Sequence, residues 1–217
     1  MIRFELDHPT LRLGVVRADI LRVGPSDERL LSAMTAAEAA LRVNPAGFSE
    51  PTRAAIRDVL RRGGYKPTGR GKPASEFLFG AATSEAGMPR VNNLVDINNL
   101  ASLESAHPIS IFDAALLGDD ITLRFGGEGE SYVFNASGQT MDVKGLPVIC
   151  RGAAREPVGN AVKDSMLCKV HPGTRRVLVA AYGTRALPER ALELVCERLG
   201  ELLEAHAGGT LIEHAVL

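Results

Sequence analysis

The chain has 217 residues, 45% of them hydrophobic and 24% charged, enough apolar material for a sizeable core without disulfide or metal staples. A formal net charge of −1 excludes a surface that grips nucleic acid by bulk positive charge, although it leaves room for a local basic patch. Cys150, Cys168 and Cys196 are odd in number and never spaced as a CxxC pair, so the sequence offers no zinc framework, and the expectation is buried thiols in a reducing compartment.

Residues 1–6 lack the apolar run of a signal peptide, and no stretch approaches the roughly 18 apolar residues of a membrane span, so a cytoplasmic protein with no membrane partner is expected. Ile2, Phe4 and Leu6 alternate with polar residues as in a half-buried strand. Residues 11–16 and 20–23 read as two more strands, broken near Arg17 and closed by Gly24-Pro25. Ser26 is placed to cap a helix over 27–41 with Leu30, Leu31, Met34 and Ala37 on one face. A second helix opens at Ser49-Glu50-Pro51, turns Ile56, Val59 and Leu60 inward and stops at Gly63-Gly64.

Residues 65–73 form a loop rich in glycine, proline and positive charge, followed by a predicted helix over 75–85. Asn93 and Asp96 resemble a capping pair for a helix that runs to Ser105 and ends at His107-Pro108. Strand patterns follow: Ile121, Leu123 and Phe125, then Tyr132 and Phe134 beyond a glycine-rich turn, then 147–150 and 177–182. A long helix over 188–207 carries Leu192, Val195, Leu199 and Leu202 at core spacing, and Gly208-Gly209 leads to a last short strand. Helices clustered early and strands clustered late predict an α+β fold rather than a βαβ repeat.

Several familiar motifs fail. Gly69-Arg70-Gly71-Lys72-Pro73 lacks the hydroxyl residue and the helix start that a phosphate loop requires. Gly126-Gly127-Glu128-Gly129 lies between strands and opens no helix, which argues against a dinucleotide fingerprint. The five histidines are dispersed, and no GxSxG elbow marks a nucleophile. A site without cofactor, metal or covalent nucleophile is the expectation.

Residues 89–113 stand apart. Asn92, Asn93, Asn98 and Asn99 share eight residues with Asp96 at a predicted helix start, although asparagine is a poor residue inside a helix. Two readings fit: helix capping with the remainder in solvent, or a polar pocket whose amides donate and accept at once. The stretch Asn92-Asn93-Leu94-Val95-Asp96-Ile97-Asn98-Asn99-Leu100 resembles N-N-V-V-D-V-T-N-Y-V of phenylalanyl-tRNA synthetase beta chains, and His107-Pro108-Ile109-Ser110-Ile111-Phe112-Asp113 resembles their Q-P-M-H-A-F-D. Lys72-Pro73-Ala74-Ser75-Glu76 is similar to an R-P-S-S-E element of freestanding B3/B4 proteins, and residues 118–124, Asp164-Ser165 and 174–178 resemble later elements in the same order.

The resemblance implies a B3/B4-like α+β domain of mixed and antiparallel sheets with flanking helices, spanning 1–217. Its recognisable core is 65–182; residues 1–64 complete the fold and 183–217 add a helix and strand. It further implies a trans-editing deacylase that hydrolyses the ester of a mischarged tRNA without metal or cofactor, possible substrates including canavanyl-tRNA(Arg), with tRNA and not DNA as partner. By position, Asn99 and Ser110 take catalytic places, Ser110 standing where the related motif has histidine. Glu76, Asn92, Asp96, Asn98, Asp164 and Ser165 fall at substrate-binding places, Asp164 as an acidic group suited to a guanidine-type side chain. Arg57, Arg61, Arg70, Lys72 and Arg90 are the cations for tRNA, with Arg53, Arg57 and Arg61 on one helical face; a solvated helix face is the competing reading. A tRNA- or RNA-binding module without catalysis, and a hydrolase of another small ester or amide, are the alternatives.

Overall fold

A computed structural model describes residues 2–5 and 8–217. In chain order come β1 (Ile2–Phe4), β2 (Leu11–Asp19), α1 (Glu28–Val43), α2 (Glu50–Arg61), α3 (Ala74–Ala82), α4 (Asn93–Ser105), β3 (Ile109–Asp113) and the short α5 (Ala114–Leu117). They are followed by β4 (Ile121–Phe125), β5 (Ser131–Val133), β6 (Thr140–Asp142), β7 (Pro147–Arg151), β8 (Glu156–Asn160), β9 (Arg176–Thr184), α6 (Glu189–Ala207) and β10 (Thr210–Val216). The α+β expectation holds, with mixed and antiparallel sheets flanked by helices.

The central layer is an antiparallel sheet in the order β10-β2-β9-β3. Strand alternation gives it two apolar faces. Val16 and Ala18 of β2, with Val177, Val179 and Ala181 of β9, pack on Leu30, Leu94, Leu103 and Leu199 of the helices. The alternate residues Leu11, Leu13, Val15, Leu178 and Tyr182 meet Leu123, Val148 and Val158 of the second sheet. That second sheet runs β1-β4-β7-β8, parallel only between β1 and β4. The layers are thus helices, antiparallel sheet and mixed sheet, and β3 is a free edge of the middle layer.

Four expectations need correction. Residues 11–19 form one strand, not two broken at Arg17, because the Arg17 side chain finds Glu213 across the sheet at 3.1 Å. Residues 20–23 are not a strand: the opposing β9 begins at Arg176, and only Ile20 still bonds back, to the Arg175 carbonyl. The cap of α1 is Asp27, whose carboxylate accepts from Leu30 N–H, while Ser26 donates to Asp96 Oδ2 at 2.6 Å. The helix expected over 75–85 ends at Ala82. Of the first strand, Leu6 lies outside the described residues.

Candidate functional site

A cavity of about 540 Å³ opens where the free edge of β3 faces the start of α4 and the loop that follows β8. Helix α4 contributes Asn92, Val95, Asn98 and Asn99, spaced so that successive turns present one face. Ile109 and Ile111 form the β3 wall, and Lys163, Asp164 and Lys169 close the opposite side beside Phe134.

Each asparagine of the cluster has its own assignment. Asn92 caps α4, its side-chain oxygen accepting from Val95 N–H at 3.0 Å. Asn93 is buried and ties three segments together, donating to the Arg22 and His206 carbonyls and accepting from Gly24 N–H. Asn98 donates through Nδ2 to the Ile109 carbonyl at 3.0 Å, fastening the helix to the strand edge. Its orientation is dictated by chemistry, since only the NH2 end of an amide can face a carbonyl. The other end, Oδ1, is buried without a hydrogen-bond partner among the described residues, in a side chain that lines the cavity. Asn99 is half-buried on the same wall.

Asp164 is held by the loop around it. The Asn160 side-chain oxygen accepts from Val162 and Lys163 N–H, the Tyr132 hydroxyl donates to the Lys163 carbonyl, and Ser165 N–H returns to the Val158 carbonyl. Ser110 Oγ donates to Asp164 Oδ1 at 2.6 Å and lies 3.2 Å from the Tyr182 hydroxyl. Gly159 makes room: a Cβ there would stand 2.7 Å from Asp164 Oδ1 and would also strike the Phe112 ring. Burial pushes the Asp164 carboxyl up to about 7, against the opposing pull of the Ser110 hydroxyl, the Asn160 N–H and Lys169. Burial likewise lowers the Lys169 ammonium, with Asp164 resisting.

The structure gathers Asn92, Asn98, Asn99 and Asp164 around the cavity and places the other expected residues elsewhere. Ser110, at 1% exposure, does not line it and serves to position Asp164. Asp96 is buried and accepts from Ser26 Oγ and Val91 N–H, which braces the α4 entry. Ser165 is buried and caps a short turn through Leu167 N–H. Glu76 is also buried, gripped by two bonds from Arg57 with Arg53 at 3.7 Å.

The expected cationic stripe is therefore largely neutralised. Arg57 belongs to Glu76, Arg61 pairs with Asp58, and Arg53 lies between Glu50 and Glu76; these acids flank or interrupt the basic run. Arg90 reaches Glu38 at 2.9 Å. Arg70 is exposed and Lys72 half-buried, neither on the cavity wall. Sequence reasoning missed Phe134, Lys163 and Lys169. Phe134 lies 29 positions before Lys163, and nothing in the local sequence joins it to the two lysines that flank Asp164-Ser165.

The family model "B3/4 domain" matches residues 59–208, extending beyond 65–182 at both ends. Over 95 residues the chain is 33% identical to the phenylalanine–tRNA ligase beta subunit of Moorella thermoacetica, which is 43% of this chain but only 12% of that protein. Among solved structures, an N-terminal fragment of the phenylalanyl-tRNA synthetase beta-subunit from Pyrococcus horikoshii aligns with a TM-score of 0.46 at 14% identity, covering 54% of this chain and 40% of that one. With most of its length matched, the cavity included, this chain belongs to the B3/4 domain family.

Proposed function

We propose that the chain is a trans-editing aminoacyl-tRNA deacylase acting in the cytoplasm, a hydrolase that frees a wrongly attached amino acid from tRNA. The observation that carries this reading is Asn98 Oδ1, a buried acceptor with no hydrogen-bond partner among the described residues, beside a polar cavity. Such an atom calls for a donor from outside the protein, and the α-ammonium of an aminoacyl ester supplies one. Asn99, one residue on, offers an amide N–H to the oxygen that gains charge when water adds to the ester carbonyl. Collapse of that tetrahedral adduct breaks the bond to the ribose oxygen, which leaves with a proton as the free hydroxyl of tRNA, and the amino acid departs as its acid. An aminoacyl ester is already activated, so placing water and the carbonyl correctly is most of the task.

Asp164 is the proposed reader of the amino-acid side chain. A half-buried carboxylate suits a cationic, guanidine-type group such as that of canavanine. The test is release of radiolabelled amino acid from canavanyl-tRNA(Arg), arginyl-tRNA(Arg) and tyrosyl-tRNA(Phe). Selective release from a cationic substrate, lost or redirected in Asp164→Asn, is the expected result; an unchanged preference in that variant removes the selector role.

One observation favours a second reading, a tRNA-binding module without turnover. Ser110 occupies the place of the histidine in the related motif, and its hydroxyl is sealed away and committed to Asp164. Binding of tRNA with no release from any mischarged substrate selects this reading.

A further inference from the structure

The mouth of the cavity carries a feature that the chemistry of ester cleavage does not use. Phe134 lines the cavity just beyond β5, and the Lys163 ammonium sits 4.1 Å from the centre of its ring. Lys169 Nζ donates to the Phe134 carbonyl at 2.7 Å, so two cations converge on one aromatic residue. Whereas Arg57, Arg61 and Arg90 are neutralised by Glu76, Asp58 and Glu38, neither lysine lies in an ion pair with a carboxylate among the described residues. The backbone beneath Lys163 is fixed through Asn160 and Tyr132, while its ammonium, among the described residues, rests on the ring face. Phe134 is half-buried, its ring packed partly against the core, and a cation held by a ring face alone is weakly bound, so a better ligand can displace it. An aromatic face flanked by two such cations matches a nucleobase joined to phosphate, because bases stack on aromatic rings and lysines neutralise the backbone.

Resting on the deacylase reading, we infer that Phe134, Lys163 and Lys169 form the subsite for the terminal nucleoside of the acylated strand. The terminal adenine stacks on Phe134 in place of the Lys163 ammonium, and that ammonium moves with Lys169 onto the adjoining phosphate. The stack sets the depth at which the ester enters between Asn98 and Asp164. Phe134 is thus a positioning residue rather than a catalytic one.

The test needs neither hydrolysis nor the identity of the amino acid. Two deacylated RNA minihelices are titrated into the full chain, one ending in CCA and the other with the terminal base removed but its ribose and phosphate kept. Wild type is expected to bind the CCA end about tenfold more tightly, the order of one stacked base. Phe134→Ala erases that difference, Phe134→Tyr retains it, and melting curves of both variants check the fold. Lys163→Met with Lys169→Met weakens binding of the CCA end and reduces the slope of log Kd against log salt by about one, the order for one neutralised phosphate. Equal binding of the two ends by wild type, absence of binding, or persistent discrimination in Phe134→Ala overturns the subsite. Loss of deacylation with base discrimination intact removes only the enzymatic reading.

Discussion

At the scale of single residues, the asparagine cluster divides between building and binding. Asn93 spends both ends of its amide on the Arg22, Gly24 and His206 backbone, whereas Asn98 spends one end on Ile109 and leaves the other unpaired. The sequence made the cluster conspicuous but could not divide it, because the partners lie on segments up to 113 positions away. Partial burial raises the Asp164 carboxyl toward neutrality, and this has two consequences. Its carboxyl is raised from 3.8 to about 7, so between those values the folded chain retains a proton that the unfolded chain has lost. Its contribution to stability is therefore complete below about 4 and is lost as pH rises through about 7. His107, lowered by burial to about 4, acts in the opposite sense between that value and 6.5, so the informative quantity is the difference between wild type and Asp164→Asn. Denaturation across this range is expected to show the variant gaining on wild type as pH rises; a constant difference contradicts the raised carboxyl. The second consequence is that a cationic amino-acid ester should bind more tightly as pH passes 7, and Asp164→Asn should flatten that profile in titration calorimetry.

Glu76 belongs to the same scale. Its side chain is 5% exposed and held by two bonds from Arg57, so Arg57→Ala leaves a buried carboxylate with only the more distant Arg53, at 3.7 Å, among the described residues. A loss of about 3 kcal/mol is expected by urea denaturation, and Arg57→Ala with Glu76→Gln should recover part of it. A loss below about 0.5 kcal/mol would assign the pair to the weak class of surface ion pairs.

Among the elements, α4 carries the site and was the most legible, since its apolar spacing and the His107-Pro108 stop agree with the structure. The structure moves the cap from Asn93 to Asn92, one residue upstream. Asn92→Ala should cost about 1 kcal/mol, measured by thermal melting, and should also blunt activity because the cap lines the cavity. Strand β2 was misread at Arg17 because a charge inside a strand looks like a break until its cross-strand partner Glu213 is known. The loop after β8 was legible only through its resemblance. Its shape depends on Asn160, Tyr132 and the vacancy at Gly159, none of which forms a local pattern with Asp164. Gly159→Ala should displace Asp164, lowering turnover at least tenfold while the chain stays folded, with circular dichroism as the control; unimpaired turnover would show that the carboxylate position is not critical.

For the whole molecule, the layers explain where a site can form. A sheet buried on both faces leaves ligands its edges, and β3 is the edge faced by both the helical layer and the mixed sheet. β2 and β10 come from opposite ends of the described chain and pair with each other, so the central sheet draws on residues outside 59–208 as well as within it. The fold class and family were readable from motif order and the local pairs of Arg53 with Glu50 and Arg61 with Asp58 from spacing, whereas the pairing of Arg57 with Glu76 and of Arg90 with Glu38 was not, because those partners lie 19 and 52 positions away. The proposed reaction is hydrolysis, in this cavity, of the ester of an aminoacylated tRNA. Its most direct test is single-turnover release of labelled amino acid from mischarged tRNAs by wild type and Asn99→Ala, with tRNA affinity measured alongside. Release by wild type, at least tenfold slower in the variant at unchanged affinity, is the predicted result; no release by wild type from any substrate, or equal rates in both proteins, would contradict it.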